Sequence, residues 1–471
     1  MQTAAERATD IGAHQDAPLS ATAALARFAS TLRYDAIAEP ARHAARRHSL
    51  DTVGAILAGS RQRATQAVER TLIELGGKDA AAVPGLACRF DPLSAAYIAG
   101  TAGHGLELDD GYRAGSVHPG TVIVPALLAA ASTGRYDGKQ WIAATVVGYE
   151  AVCRLAAAMH PASRYKGFHN TSVAGVMGAA LAVGALLRLD EKRMADALGL
   201  AASSAAGIFA FLKGGGAVKR THPGHAAREG LQCAFAAKNG LTGPAEVLEV
   251  EEGFFETFSR DVDPAVVTRG LLEGDLVMTR CYIKPHAACR HLHPGIDAVL
   301  DIMAVEKIKP DAVEAIEVGT YKIAAGHGQV RYDDMLAAQM SYPFALATAL
   351  ARRAVNLNHF GDAARADDAV LRHVAKVRVV TDPDCEAAYP KQRPAKVAVR
   401  MRDGTVYRRR VDQPYGGADN PVDDGALSAK FHSLADPVLG AARADEAERM
   451  LWNLDDVTNV ANLIDRLVGV T

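Results

Sequence analysis

NTSVAGVMGAALAVGALL, residues 170–187, contains no charged side chain. A run of this length could cross a bilayer, but it is built largely from Ala, Gly, Ser and Val, which gain little from lipid compared with Leu, Ile and Phe. It therefore reads as a buried helix, and its small side chains let neighbouring helices approach closely. The rest of the chain agrees with that reading. About one residue in five is alanine, the best helix former, and aromatic residues make up only 6%. Working outward, Leu25, Phe28 and Leu32, then Leu50, Val53 and Leu57, recur at i, i+3 and i+7, and helical spacing continues from Ser20 to about Glu273. Breaks are expected at His118-Pro119-Gly120, between Gly134 and Gly138, at His160-Pro161, at Gly214-Gly215-Gly216 and at Pro223-Gly224.

After Cys281 the pattern changes. AIEVGTYK (315–322) and KVRVVT (376–381) alternate, and AKVAVRMRDGTVYRRRV (395–411) holds two alternating runs around Asp403-Gly404. The last is a β-hairpin signal, since Asp-Gly supplies the positive φ values of a type I′ turn. A helix over Ser341–Arg352 intervenes, so this region is expected to be an α+β module with an antiparallel sheet. The tail returns to helical spacing and packs back on the first part. The expected class is mainly α: a helical domain over residues 19–277 and 413–471, with the α+β module over 278–412 inserted. Residues 1–18 mix charges without an apolar run and are expected to form a disordered leader.

The chain has 471 residues with 52 Lys+Arg against 54 Asp+Glu. No concentrated basic face emerges, which argues against nucleic acid, and no segment argues for a membrane. The six cysteines contain no C-x-x-C pair, so neither a zinc ribbon nor a disulfide framework is indicated and a reducing, cytoplasmic setting fits.

Four constellations could carry chemistry. HGLELDDGYRAGSVHPG (104–120) groups Glu107, Asp109, Asp110, Arg113 and His118; an aspartate-rich Mg²⁺ site would need a third aspartate where Arg113 stands. KGFHNTSVAG (166–175) places His169 before the uncharged helix. KGGGAVKRTHPGHAAREG (213–230) holds Lys213, Lys219, Arg220, His222, His225 and Arg228 without the order of a phosphate-binding loop. Its cations beside glycines suit a carboxylate. CYIKPHAACRHLHPGID (281–297) offers His286, His291 and His293 as zinc ligands, but i, i+2 spacing aligns them poorly. Lys284 and Arg290 as anion binders are the more economical reading.

Together these motifs, with LTGPAEVLE (241–249), resemble the MmgE/PrpD family in order and spacing. That family includes 2-methylcitrate dehydratase, cis-aconitate decarboxylase and iminodisuccinate epimerase. The resemblance implies a helical body, a smaller α+β lid, a homodimer, no organic cofactor or metal, and a small di- or tricarboxylate substrate. It places His118, His169, Lys219 and Lys284 at catalytic positions. Glu107, Asp109, Asp110, His222, Cys289, Arg290 and Tyr321 become candidates for binding or orienting. The family's D-F-D-D-T is here Glu107-Leu108-Asp109-Asp110-Gly111. Cys289 stands where the decarboxylase subgroup has histidine, and Tyr321 is the nearest candidate for its lid tyrosine. The implied reaction is a 2-methylcitrate-dehydratase-like hydro-lyase, with epimerisation or decarboxylation as alternatives. Lys219 and Lys284 would polarise carboxylates, His118 and His169 would titrate near neutrality as acid and base, and Glu107 or Asp109 would orient an imidazole.

Overall fold

The computed structural model describes residues 19–77, 80–211, 217–330 and 332–469; the expected leader, Lys213 and the Gly214–Gly216 break lie outside them. Helices account for 59% of the chain and strands for 9%, which makes the protein mainly α. The uncharged stretch forms two consecutive helices, Asn170–Val173 and Gly175–Leu186, buried almost throughout. A second helix, Gly138–Met159, is long and apolar enough to cross a membrane, yet 89% of its most apolar window is buried inside the protein. It carries the buried pair Glu150–Arg154, and Glu150 accepts from the Met278 N–H at 2.8 Å while Arg154 donates to the Arg269 carbonyl at 2.7 Å. Those partners are supplied by the rest of the body, so this is a core helix.

Close approach organises the body. Helix Val218–Lys238 crosses helix Pro92–Gly103 at two glycines: a Cβ on Gly100 would lie 2.5 Å from Gly224 Cα. This packing also overrides the break expected at Pro223-Gly224, for the helix runs on through Pro223 and gives up one backbone bond. Because these helices carry Lys219 and lead into His104, the crossing sets their separation. Gly100→Ala is expected to cost about 1–3 kcal/mol in denaturant unfolding, the scale of overpacking, and to lower turnover with it.

The tail helices Asp424–Leu439, Ala441–Trp452 and Val460–Leu467 place Leu427, Phe431, Leu451 and Leu463 in the same apolar core as the first helices. Lys430 donates to Asp51 Oδ1 at 2.6 Å and to the Leu108 carbonyl at 2.8 Å, bridging tail and body.

A second apolar core belongs to the α+β module. Two short strands, β1 (Ala81–Ala82) and β2 (Arg89–Phe90), pair in the body. The module's sheet contains β3 (Val313–Thr320), β4 (Val377–Thr381), β5 (Ala395–Met401) and β6 (Val406–Val411) in the order β4-β3-β5-β6. It is mixed rather than antiparallel, since β3 and β4 run parallel; the helical connection between them is long enough for the crossover that parallel pairing requires. The expected hairpin is present, with β5 and β6 antiparallel. Its turn has positive φ at Gly404 alone, and Asp403 accepts from the Thr405 N–H at 2.9 Å, so it is not the type I′ turn expected. Helices His293–Val305 and Tyr342–Arg352 pack beside the sheet, the latter capped by Ser341. Leu106 and Leu108 of the body, with Leu434 of the tail, are buried within this second core.

Candidate active site

Helix Pro92–Gly103 stops at His104, and the chain then crosses the interior buried as far as Gly111 and half-buried from there until a new helix starts at Gly120. A buried irregular segment must satisfy its polar groups internally. Asp110 does much of this, accepting from the Gly120 N–H at 3.0 Å and from Tyr149 Oη at 2.7 Å, with His48 Nδ1 at 2.8 Å. Both its oxygens are thereby engaged, so of the binding and orienting roles open to Asp110 the geometry matches orienting the segment. Side chains alternate along the segment: Leu106 and Leu108 enter the second core, while Glu107 and Asp109 meet the lysines. Glu107 has φ +54, a left-handed backbone that costs of order 1–3 kcal/mol in a residue of this kind.

The carboxylates and cations answer one another. Lys219, in the first turn of its helix, pairs with Glu107 Oε1, and Lys284 Nζ lies 3.5 Å from both Glu107 Oε2 and Asp109 Oδ1. Burial alone would raise Glu107, but Lys219 and then Lys284 outweigh it and hold the carboxyl far below its usual range. Burial likewise opposes ionisation of Asp109, and His118, Lys284 and His104 reverse it. Glu107 therefore serves the lysines, and Asp109 is the residue that orients imidazoles.

Asp109 Oδ2 accepts from His104 Nδ1 at 2.7 Å and lies 3.1 Å from His118 Nδ1, which also reaches the Asp110 carbonyl at 2.6 Å. With its Nδ1–H donated to these oxygens, His118 keeps Nε2 for another partner. The His104 ring stands 5.0 Å from that of His118 and 5.9 Å from that of His169. His169 and His222 meet through their Nδ1 atoms at 2.9 Å, one donating and the other accepting. Burial, only partly countered by Asp109, pushes His104 down to about 4; burial, then His225, pushes His222 to about 4. His169 is lowered well below its ordinary value, first by burial and then by His104 and His222. It is thus held neutral, not poised near pH 7 as the sequence reading expected.

That arrangement fixes a pH dependence. An unfolded chain protonates these three imidazoles below about pH 6.5, whereas the folded chain leaves them neutral until well under that value, so the unfolded state binds more protons. Stability is expected to be full above pH 6.5 and to fall as the pH drops toward 4. Urea unfolding across this range checks it, and a flat profile for wild type alongside His104→Asn would contradict it.

His104, Asp109 and His118 also bring ligand atoms within 4.8 Å of one another, as a metal site does. Here both Nδ1 atoms are turned onto Asp109 or its neighbouring carbonyl and the Lys284 ammonium already faces that carboxylate. The donor set has the hydrogen bonds of a proton relay.

The remaining predicted residues lie on the side of the α+β module. Arg290 directs its guanidinium at protein acceptors: it donates to the carbonyls of Tyr415 at 2.7 Å and Pro414 at 3.1 Å and meets His293 Nδ1 at 2.8 Å. Cys289 is buried, its N–H bonded to the Gln339 carbonyl, and burial followed by Glu107 raises its thiol. The thiol therefore keeps its proton near neutrality. Tyr321 Oη meets His291 Nδ1 at 2.5 Å and its ring stacks on Tyr389 at 4.7 Å. His286 is engaged with Asp297 at 2.8 Å, away from His291. At Gly111 a Cβ would run into the phenol of Tyr282, which fills that place. Burial raises Tyr282 to about 12, so it presents a protonated hydroxyl where the family has threonine. His104 and Tyr282 were not singled out as site residues by sequence; the five-residue spacing of His104 and Asp109 at a helix end was the available signal.

Residues 23–266 match the MmgE/PrpD N-terminal domain and residues 286–456 the MmgE/PrpD C-terminal domain. The chain belongs to the MmgE/PrpD family. Among curated proteins, this family member is 25% identical to cis-aconitate decarboxylase of Aspergillus terreus, over 98% of each chain. It is 27% identical to the cis-aconitate decarboxylase-like protein oryM of Aspergillus oryzae, over 95% of this chain and 97% of that one. With cis-aconitate decarboxylase of Homo sapiens the identity is 24% over 81% and 80%.

Proposed function

We propose that this MmgE/PrpD protein is a cofactor-independent lyase for a small unsaturated tricarboxylate, with decarboxylation of a cis-aconitate-like acid as its reaction. The observation that carries the reading is the His118–Asp109 pair beside Lys219 and Lys284. In such a decarboxylation the C–C bond to the departing carboxylate breaks, its electron pair forms a new C=C, and the former alkene carbon takes a proton. One positioned acid is required. His118, with Nδ1 held on Asp109 and Nε2 free, has the geometry to deliver that proton, since the carboxylate behind it stabilises the imidazolium. The lysines stabilise charge that develops on the remaining carboxylate oxygens.

The near full-length relatives named for this reaction move the weight from the hydro-lyase expected by sequence to decarboxylation. The hydro-lyase remains the second reading, favoured by one residue, Cys289, which stands where the decarboxylase subgroup has a histidine. The deciding experiment incubates the protein with cis-aconitate and, separately, 2-methylcitrate. CO₂ release from the first, with one solvent deuteron in the product formed in D₂O, is expected; a rise in C=C absorbance from the second without CO₂ would overturn decarboxylation in favour of dehydration.

A further inference from the structure

A tricarboxylate needs more positive charge than the two lysines can offer, because Glu107 and Asp109 already neutralise them. The unneutralised cations lie elsewhere. Arg393 stands in the segment before β5 and is 5% exposed. It donates from Nη2 to the Arg113 carbonyl at 3.1 Å, across the seam between body and α+β module, and its buried Nε has no partner among the described residues. Among those residues no carboxylate lies within ion-pair distance of Arg393, Arg113 or Arg164. A buried guanidinium without an anion is costly, and its persistence at a seam calls for a ligand.

Its surroundings repeat the signal. His160, at the end of helix Gly138–Met159, has both ring nitrogens buried and unpartnered among the described residues. Burial, then the charges of Arg393 and Arg164, push it to about 4, so it faces them as a neutral hydrogen-bonding ring. Arg164 lies over the Phe209 ring at 3.7 Å, and the same ring meets His169 edge-on at 4.9 Å. One aromatic side chain therefore separates this cationic cluster from the catalytic imidazoles. Arg393 also acts on His291 and Tyr321, which face each other at the seam.

We propose that Arg393, with Arg164 and His160, forms an anion subsite that holds the substrate carboxylate farthest from His118 and so sets the preference for tricarboxylates over dicarboxylates. This rests on the function proposed above. The guanidinium fork suits a planar carboxylate, while the unpartnered His160 offers one further donor. The subsite also joins both halves of the protein around one ligand group, so binding there closes the seam.

The test compares wild type, Arg393→Gln and Arg164→Gln. Tricarballylate and succinate serve as non-reacting probes in thermal-shift titrations, and cis-aconitate is used for kinetics. Wild type is expected to bind tricarballylate in preference to succinate. Each variant should lose roughly tenfold to a hundredfold in tricarballylate affinity, with KM rising more than kcat falls and succinate affinity little changed. Without ligand, Arg393→Gln should melt no lower than wild type, because it removes an uncompensated charge; a residue serving only to staple the seam would lower it. Unaltered tricarballylate affinity in Arg164→Gln and Arg393→Gln would overturn the subsite. If wild type itself binds and turns over no carboxylate, the function proposed above fails instead, and the two failures are thus distinguished.

Discussion

Replacing His118 with asparagine is expected to lower kcat by roughly two to four orders of magnitude, the scale of a lost acid or base, while leaving the unfolding free energy within about 1 kcal/mol of wild type. Asparagine is chosen because its Nδ2 can take the place of the imidazole Nδ1–H that reaches the Asp110 carbonyl at 2.6 Å and lies 3.1 Å from Asp109. The buried segment then keeps its bonds and only the Nε2 atom is lost. The assay is steady-state turnover of cis-aconitate beside an unfolding curve on the same preparation. Near-normal turnover would remove His118 from the mechanism. A large loss of stability would instead show that the ring's main work is to hold the segment.

Lys284→Met should be the most damaging single change to stability near the site. Lys284 is 1% exposed and lies between two buried carboxylates, so deleting it leaves Glu107 and Asp109 short of a counter-charge. Breaking a buried pair from one side costs about 3–5 kcal/mol. The pH dependence follows from the shifts. Asp109 is held below its ordinary 3.8, so its contribution is present above that pH and is lost as pH falls through the folded value. Burial disfavours the Lys284 ammonium, but Asp109 and Glu107 outweigh it and raise the group above 10.5; its contribution is present below that pH and lost as pH rises through the folded value. At pH 7 both are in force. In Lys284→Met the carboxylates rise, so the deficit relative to wild type should be largest near neutrality and shrink in acid, where the carboxyls can take up protons. Urea unfolding at pH 7 and pH 4.5 measures it, and a deficit below about 1 kcal/mol at pH 7 would refute the pairing as a structural element.

The uncharged run at 170–187 was legible because a stretch without charge must be buried on every side, and the alternation at 395–411 because periodicity reports which face of a strand is buried. The parallel pairing of β3 with β4 was not, since strand order depends on how the intervening helices pack. In the site, four motifs located the histidines and lysines but not their state of charge. Lys219 and Glu107 are 112 positions apart and Arg393 lies 280 positions from Arg113. No local pattern tells which cations are already answered and which are left open. Arg290 shows the converse: among the cations of its motif it looked available, and carbonyls from a distant turn consume it.

The alternation of Leu106 and Leu108 into the module's core with Glu107 and Asp109 onto the lysines bears on how this architecture can be recombined. A graft of the α+β module from a relative would arrive without three of its own interior side chains, Leu106, Leu108 and Leu434, which the recipient's body must provide at the right register. Shape mismatch at the first two would tilt the peptide carrying the acids, and a chimera could fold in both halves while losing its chemistry. The heritable unit in this architecture is accordingly the module together with the 104–119 segment, and exchange boundaries drawn at the chain positions where the module begins and ends would cut through it.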